Sequence, residues 1–458
     1  MTKEEKLTIL SGGFVVTMNE RRQILKNGSL VISNDKIREI GPTEDILGKY
    51  WDKKAKRISC RGHMILPGCV NTHIHCAQSL VRGIAEDMGR APSYTSSVPQ
   101  GDDLSPDQSY LFGMLGAATA LRYGSTTISD NYACEAEEAK AFQKLGIRAV
   151  VSERVHDMDF HYLSQEKYVK DPGLGEELLQ KNIDLLEKYS NPAGRITAAV
   201  GIHAADTCSR EFLKKVRRET EKYQVPTTLH LSQSLMENRQ IREKYNMTPT
   251  QLLEDCGFLN ENLMAAHCMN VSEDDIRQLA HAGAQIVHIP EGNAKSGRIA
   301  PVSEMRDAGL NIAIGTDNGG GNMLENMRMA LISERIRKAS IPVSWPMKVL
   351  EMATIGGARA LHMDDKIGSL EEGKKADIIT VRFDSLHMTP AANAVGTLVH
   401  MGCGTEIDLV MVNGKILVED GHLTSINEEE LIRQCSRQAS EMWRRADPEF
   451  DDNLEFLY

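Results

Sequence analysis

The sequence predicts an α/β fold: a (β/α)8 (TIM) barrel joined to a small β-sandwich domain formed from both chain ends. Three observations predict it. Apolar strand-like runs alternate with helical stretches through the middle of the chain. Short β-branched runs broken by Gly and Asn occupy both ends. Polar metal-binding residues stand at the C-terminal ends of most of the central runs, the face where such barrels gather chemistry.

The elements follow in order. "LTILSGGFVVTM", "GSLVISNDKIREIG" and "KRISC" read as strands with turns. The barrel strands are "GCVNTHIH", "STTISDN", "RAVVSERV", "ITAAVGIHA", "PTTLHLSQ", "LMAAHC", "AQIVHIP" and "NIAIGTDN". Between the first two, "SPDQSYLFGMLGAATALRYG" is a helix, with a capping box from Ser105 to Gln108, Pro106 at its first position and Gly124 as its stop. "SEDDIRQLAHAG" starts the same way and stops at Gly283. Strand texture returns in "KKADIITVRF" and "EIDLVMVNGKILVEDGHL", where "VNGK" signals a hairpin. The expected division is residues 1–63 with 366–425 as the β domain, 64–365 as the barrel and 426–458 as a C-terminal helical extension without evident chemistry. A doubly wound sheet is the alternative, weakened because no GxGxxG follows a strand.

Composition narrows the function. The 458 residues are 41% hydrophobic, enough for a large core, and carry a net charge of −11 without a basic patch. Nucleic acid is therefore an unexpected partner. The nine cysteines show no CxxC and no even framework, which fits reduced thiols and a cytoplasmic location. No run is long enough to span a bilayer, and the N-terminus lacks signal-peptide form. A small-molecule substrate and a homo-oligomer, dimer or tetramer, are expected.

The strand ends carry the chemistry. His73 and His75 lie two apart on strand one and so point the same way. Strand four supplies His203, strand five His230 and then Gln233, strand six His267, strand seven His288 and strand eight Asp317. A strand-end histidine by itself is more often a hydrogen-bonded core residue than a ligand. Six histidines and an aspartate on one face read together as a metal site.

With those motifs in view, the chain resembles the amidohydrolase superfamily, in the branch of adenosine, S-adenosylhomocysteine and guanine deaminases and s-triazine hydrolases. "LPGCVNTHIHCAQSLVRG", "GIHAADTCS", "LHLSQS", "AHC", "HIPEGNAKSGRIAPV" (with one residue deleted) and "IGTDN" resemble its motifs in order. The resemblance implies one divalent ion held by His73, His75, His230 and Asp317. It places His267 on the attacking water and His203 and His288 on the substrate. Strand four ends without the carboxylated lysine of two-metal members, so a mononuclear site is expected. Zinc is the expected ion and iron the alternative, since imidazole suits both. The implied reaction is hydrolytic deamination of a small nitrogen heterocycle by a metal-activated water.

Two departures stand out. The family's strand-five motif has a proton-shuttling Glu where this chain has Gln233. Glu291 and Glu237 are the candidate replacements. The loop "EDMGRAPSYTSSVPQGDDLS" lacks the "MEWL"-like segment of adenosine-type members, which argues against such a nucleoside. It remains the natural lid. Hydrolysis of another C–X bond, of urea, carbamate or halotriazine type, is the alternative activity. A catalytically impaired scaffold is the rival from another class.

Overall fold

The computed structural model describes residues 5–87, 91–95, 97–99, 101–318 and 320–447. The barrel strands are Cys69–Ile74, Ser125–Tyr132, Arg148–Glu153, a fourth in two pieces (Ile196–Ala198 and Val200–Ala204), Thr227–Leu231, Leu263–His267, Gln285–His288 and Asn311–Ile314. They form two parallel ladders that meet at two seams. At one seam the N–H groups of Thr316 and Asp317 both donate to the His73 carbonyl at 2.9 Å. At the other, Val155 N–H donates to the Gly201 carbonyl (3.1 Å) and His203 N–H to the Val155 carbonyl (3.0 Å). The fourth strand breaks where its partner changes: Ala199 N–H bonds to Val151 of strand three, and Val200 N–H to Pro226 at the start of strand five.

Alternation decides which side chains fill the barrel. On strand six, Met264 and Ala266 join Val70, Val150 and Val287 inside, while Leu263 and Ala265 face the helix layer. The helix Pro106–Arg122 begins at the expected capping box, with both reciprocal bonds made. The helix Glu273–His281 is capped by Ser272 in the same way.

Strands from both chain ends share a nine-stranded sheet. Its centre is the antiparallel pairing of His63–Pro67 with Ile378–Arg382. Leu10, Leu30 and Ile37 from one end share a buried cluster with Ile378, Leu409 and Met411 from the other, as the two halves of a sandwich would. The "VNGK" turn holds Asn413 and Gly414 at positive φ (49° and 71°), which the tight hairpin requires.

The helix Glu428–Ala446 packs Cys435, Met442 and Trp443 against Phe112 and Leu80, and Trp443 Nε1–H donates to the Leu80 carbonyl at 3.0 Å. The rest of the expected extension, from 448 onward, lies outside the described residues. Among the described residues no helix is long and apolar enough to cross a membrane.

Candidate metal centre and active site

Strands one, five, six and eight bring their polar ends together at the barrel mouth. His75 Nε2 lies 3.2 Å from Asp317 Oδ1 and 3.2 Å from His230 Nε2. His73 Nε2 lies 3.7 Å from Asp317 Oδ1, and its ring centre is 4.7 Å from that of His75. His267 Nε2 is 4.0 Å from Asp317 Oδ2. Donor atoms of His73, His230, His267 and Asp317 all lie within 4.8 Å of one another. Backbone geometry helps: His267 and Asp317 adopt left-handed φ (69° and 55°) as their strands end, a cost accepted at functional sites.

Outer partners orient two of the rings. His230 Nδ1 is 2.5 Å from the His203 carbonyl, and His267 Nδ1 is 2.9 Å from Asn293 Oδ1. A proton on each Nδ1 leaves the Nε2 lone pair facing the centre. Burial, joined by the neighbouring imidazoles, holds His73 and His230 well below the usual histidine range. Burial lowers His267 too, against the pull of Asp317. For Asp317, burial raises the carboxyl, but the His75 hydrogen bond and the charges of His267, His75 and His73 outweigh it and leave it far below the ordinary range. Imidazoles gathered around one carboxylate are the donor set of a borderline divalent cation. Buried His73 Nε2 and His267 Nε2 have no hydrogen-bond partner among the described residues, as metal or water ligands would not. The residues fit a metal.

A cavity of about 360 Å³ opens over this centre, a size suited to a small organic molecule. Gln233, His267, Glu291, Asp317, Tyr94 and Arg298 are among its lining residues. Gln233 Nε2 is buried without a hydrogen-bond partner. Glu291 is tied to Lys295 (2.9 Å) and accepts from Asn326 Nδ2 (3.0 Å).

Two expected residues, His288 and Glu237, are placed differently. His288 does not reach the cavity. It pairs with Ile314, whose side chain joins the outer cluster, and besides burial it feels Glu334 and Arg337 of the helix layer as well as His267 at the barrel mouth. Period-2 alternation after inward Val287 turns it outward, and burial drops its imidazole to about 4. His203 is buried beside the centre, its ring centre 5.1 Å from that of His230 and 6.1 Å from that of the cavity-lining Tyr94, with Nδ1 2.9 Å from Thr207 Oγ1. Glu237, a candidate proton donor, is turned onto the backbone: it accepts from Ser232 N–H (2.9 Å) and Gln233 N–H (2.8 Å).

The structure adds residues that the strand-end pattern did not single out. Tyr94, from the described part of the lid loop, donates its hydroxyl to Asp206 Oδ1 (3.2 Å), and Tyr168 donates to Asp206 Oδ2 (2.8 Å). Burial pushes Asp206 up to about 6. Asp206 sits inside the strand-four motif "GIHAADTCS", which was the available signal. Asn293, likewise within "HIPEGNAK", emerges as the partner of His267.

The match to the amidohydrolase family spans residues 64–417. The chain belongs to the amidohydrolase family. As such it is a hydrolase of carbon–nitrogen bonds other than peptide bonds. This amidohydrolase is 33% identical over 419 residues to the 5-methylthioadenosine/S-adenosylhomocysteine deaminase of Desulforudis audaxviator, covering 90% of this chain and 94% of that one. It superposes on a zinc-bound adenosine deaminase from Xanthomonas campestris with a TM-score of 0.86, at 25% identity, over 96% of this chain and 98% of the other. It shares its fold with an atrazine chlorohydrolase from Arthrobacter aurescens TC1, solved with zinc, at 24% identity and a TM-score of 0.84 over 94% and 100% of the two chains.

Proposed function

We propose that this amidohydrolase holds one divalent ion, zinc, through His73, His75, His230 and Asp317, and releases ammonia from an exocyclic amine on a small nitrogen heterocycle. The observation that carries this is the approach of His75 Nε2 to both His230 Nε2 and Asp317 Oδ1, each at 3.2 Å, close to the edge length expected between ligands of one tetrahedral ion. When bound, such an ion polarises the reacting centre and lowers the pKa of water to about 7. The protein's own groups do the rest. The 4.0 Å gap between His267 Nε2 and Asp317 Oδ2 suits one bridging water. Asp317 Oδ2 accepts that water's proton, while His267, held at Nδ1 by Asn293, keeps the water aimed at the cavity.

Gln233 lines the cavity, and its amide can donate a hydrogen bond but has no proton to give up. It therefore favours substrates whose leaving group needs little protonation. The names of the deaminase relatives support ammonia release; Gln233 keeps hydrolysis of another C–X bond as the second reading. The test is an ammonia-release assay across ring amines, with halide release measured in parallel. Ammonia from wild type and none from Asp317→Asn supports deamination. Halide without ammonia replaces it with the second reading. Neither product, with metal bound, overturns both.

A further inference from the structure

A second set of metal-binding side chains is assembled outside the barrel mouth. His387 lies in the loop after the strand Ile378–Arg382. Cys403 and Glu406 lie between the helix Ala394–Met401 and the strand Ile407–Val412. His387 Nε2 is 3.5 Å from Cys403 Sγ and 3.6 Å from Glu406 Oε2, and Sγ is 3.4 Å from the same oxygen. Bonds of about 2.3 Å to sulfur and about 2.0–2.1 Å to nitrogen and oxygen, at tetrahedral angles, give S···N and S···O edges of about 3.5 Å and an N···O edge of about 3.3 Å. The observed triangle has these dimensions, and its 3.6 Å N···O edge is too long for a hydrogen bond.

The surroundings prepare the same donors. His387 Nδ1 is 3.2 Å from Ser385 Oγ, so a proton there leaves the Nε2 lone pair turned toward sulfur and carboxylate. Glu406 Oε1 accepts Gly404 N–H at 3.1 Å, which orients the carboxylate, while Oε2 faces the cluster and also lies 3.4 Å from the Thr405 hydroxyl. The Glu406 side chain is 1% exposed and that of His387 41%, so the triangle has a dry floor and a wet edge. Among the described residues no lysine or arginine pairs with the buried Glu406 carboxylate, which leaves room for a cation there.

We propose that His387, Cys403 and Glu406 bind a second divalent ion of the zinc class, with water as fourth ligand on the exposed edge. On binding, the thiol proton of Cys403 passes to solvent as the S–metal bond forms. The ion clasps the loop bearing His387 to the turn 402–406. That turn also braces the barrel mouth, because the Cys403 carbonyl accepts Asn322 Nδ2 at 2.9 Å and Asn322 caps the helix that follows Asp317.

The experiment loads the full chain with cobalt(II) in place of zinc and reads metal per chain together with the near-ultraviolet sulfur-to-cobalt absorption band. The proposed barrel ligands contain no sulfur, and because the buried Cys76, Asp130 and Glu138 also gather around one point, Cys403→Ser decides whether the band belongs to this site. Wild type should show the band. Cys403→Ser should lose it along with one metal per chain, yet keep its ammonia or halide release. His230→Ala should keep the band while losing the barrel ion. Absence of the band from folded wild type, survival of the band in Cys403→Ser, or unchanged metal content in that variant would each overturn the proposal. A failed barrel reading would leave the band in place, so the two failures are distinguishable.

Discussion

His75 Nε2 and His230 Nε2 face each other at 3.2 Å across the barrel mouth, one from strand one and one from strand five. Two lone pairs at that distance repel unless a proton or a cation lies between them, and burial disfavours the proton on His230. In a Cys403→Ser background, elemental analysis should therefore find about one divalent ion per chain, and His230→Ala should remove most of it. Full occupancy after His230→Ala would mean the ion sits elsewhere.

Gln233 stands where a proton donor would serve deamination. General acid–base assistance is typically worth about 10²–10⁴-fold. Gln233→Glu should raise ammonia release from at least one ring amine, and wild type should be poor on adenosine and S-adenosylhomocysteine. Robust wild-type turnover of adenosine would assign the proton to another group. Glu291 lines the cavity and is the first to test, by Glu291→Gln.

Glu237 should matter for folding and not for proton transfer. Its carboxylate satisfies two backbone N–H groups at the turn after strand five. An unsatisfied buried donor costs about 1–3 kcal/mol, so Glu237→Ala should lower the melting temperature clearly. An unchanged melting curve with lost activity would return Glu237 to the chemistry.

The pair His63–Asp408 offers a pH test away from the barrel. His63 Nε2 lies 2.9 Å from Asp408 Oδ2, and this bond raises the imidazole above its ordinary 6.5 against partial burial. A raised folded value means stability fully present below about 6.5 and lost as pH rises through the higher folded value. The melting-temperature difference between wild type and His63→Gln should be larger at pH 6 than at pH 9. Equal differences at both would show that the bond carries no charge.

Much of this architecture is legible in the sequence because alternation and caps are local signals. The eight strands, the Ser105 capping box and the "VNGK" turn occur where the residues announce them. His73, His75, His230, His267 and Asp317 converge because parallel strands of one barrel end on one face. His288 escaped because strand-end position does not reveal facing; that needed its register with Ile314. Glu135 and Glu138 begin a helix and look like solvated first-turn acids. Instead they are buried with Asp130, and burial raises all three carboxyls. Nothing local marks that burial. The approach of His387 to Cys403 is likewise set by how two loops pack, not by spacing.

The seam that shuts the barrel also sets when the protein can become an enzyme. Asn71 and Thr316 hydrogen-bond across 245 residues of chain, beside the carbonyl of His73 that receives Asp317. Such distant partners meet slowly. During synthesis His73, His75, His230 and His267 all leave the ribosome before Asp317, so a nascent chain can present imidazoles to passing metal with no carboxylate to complete the set. In the proposed site, the carboxylate that completes the set is put in place only when strand eight docks against strand one.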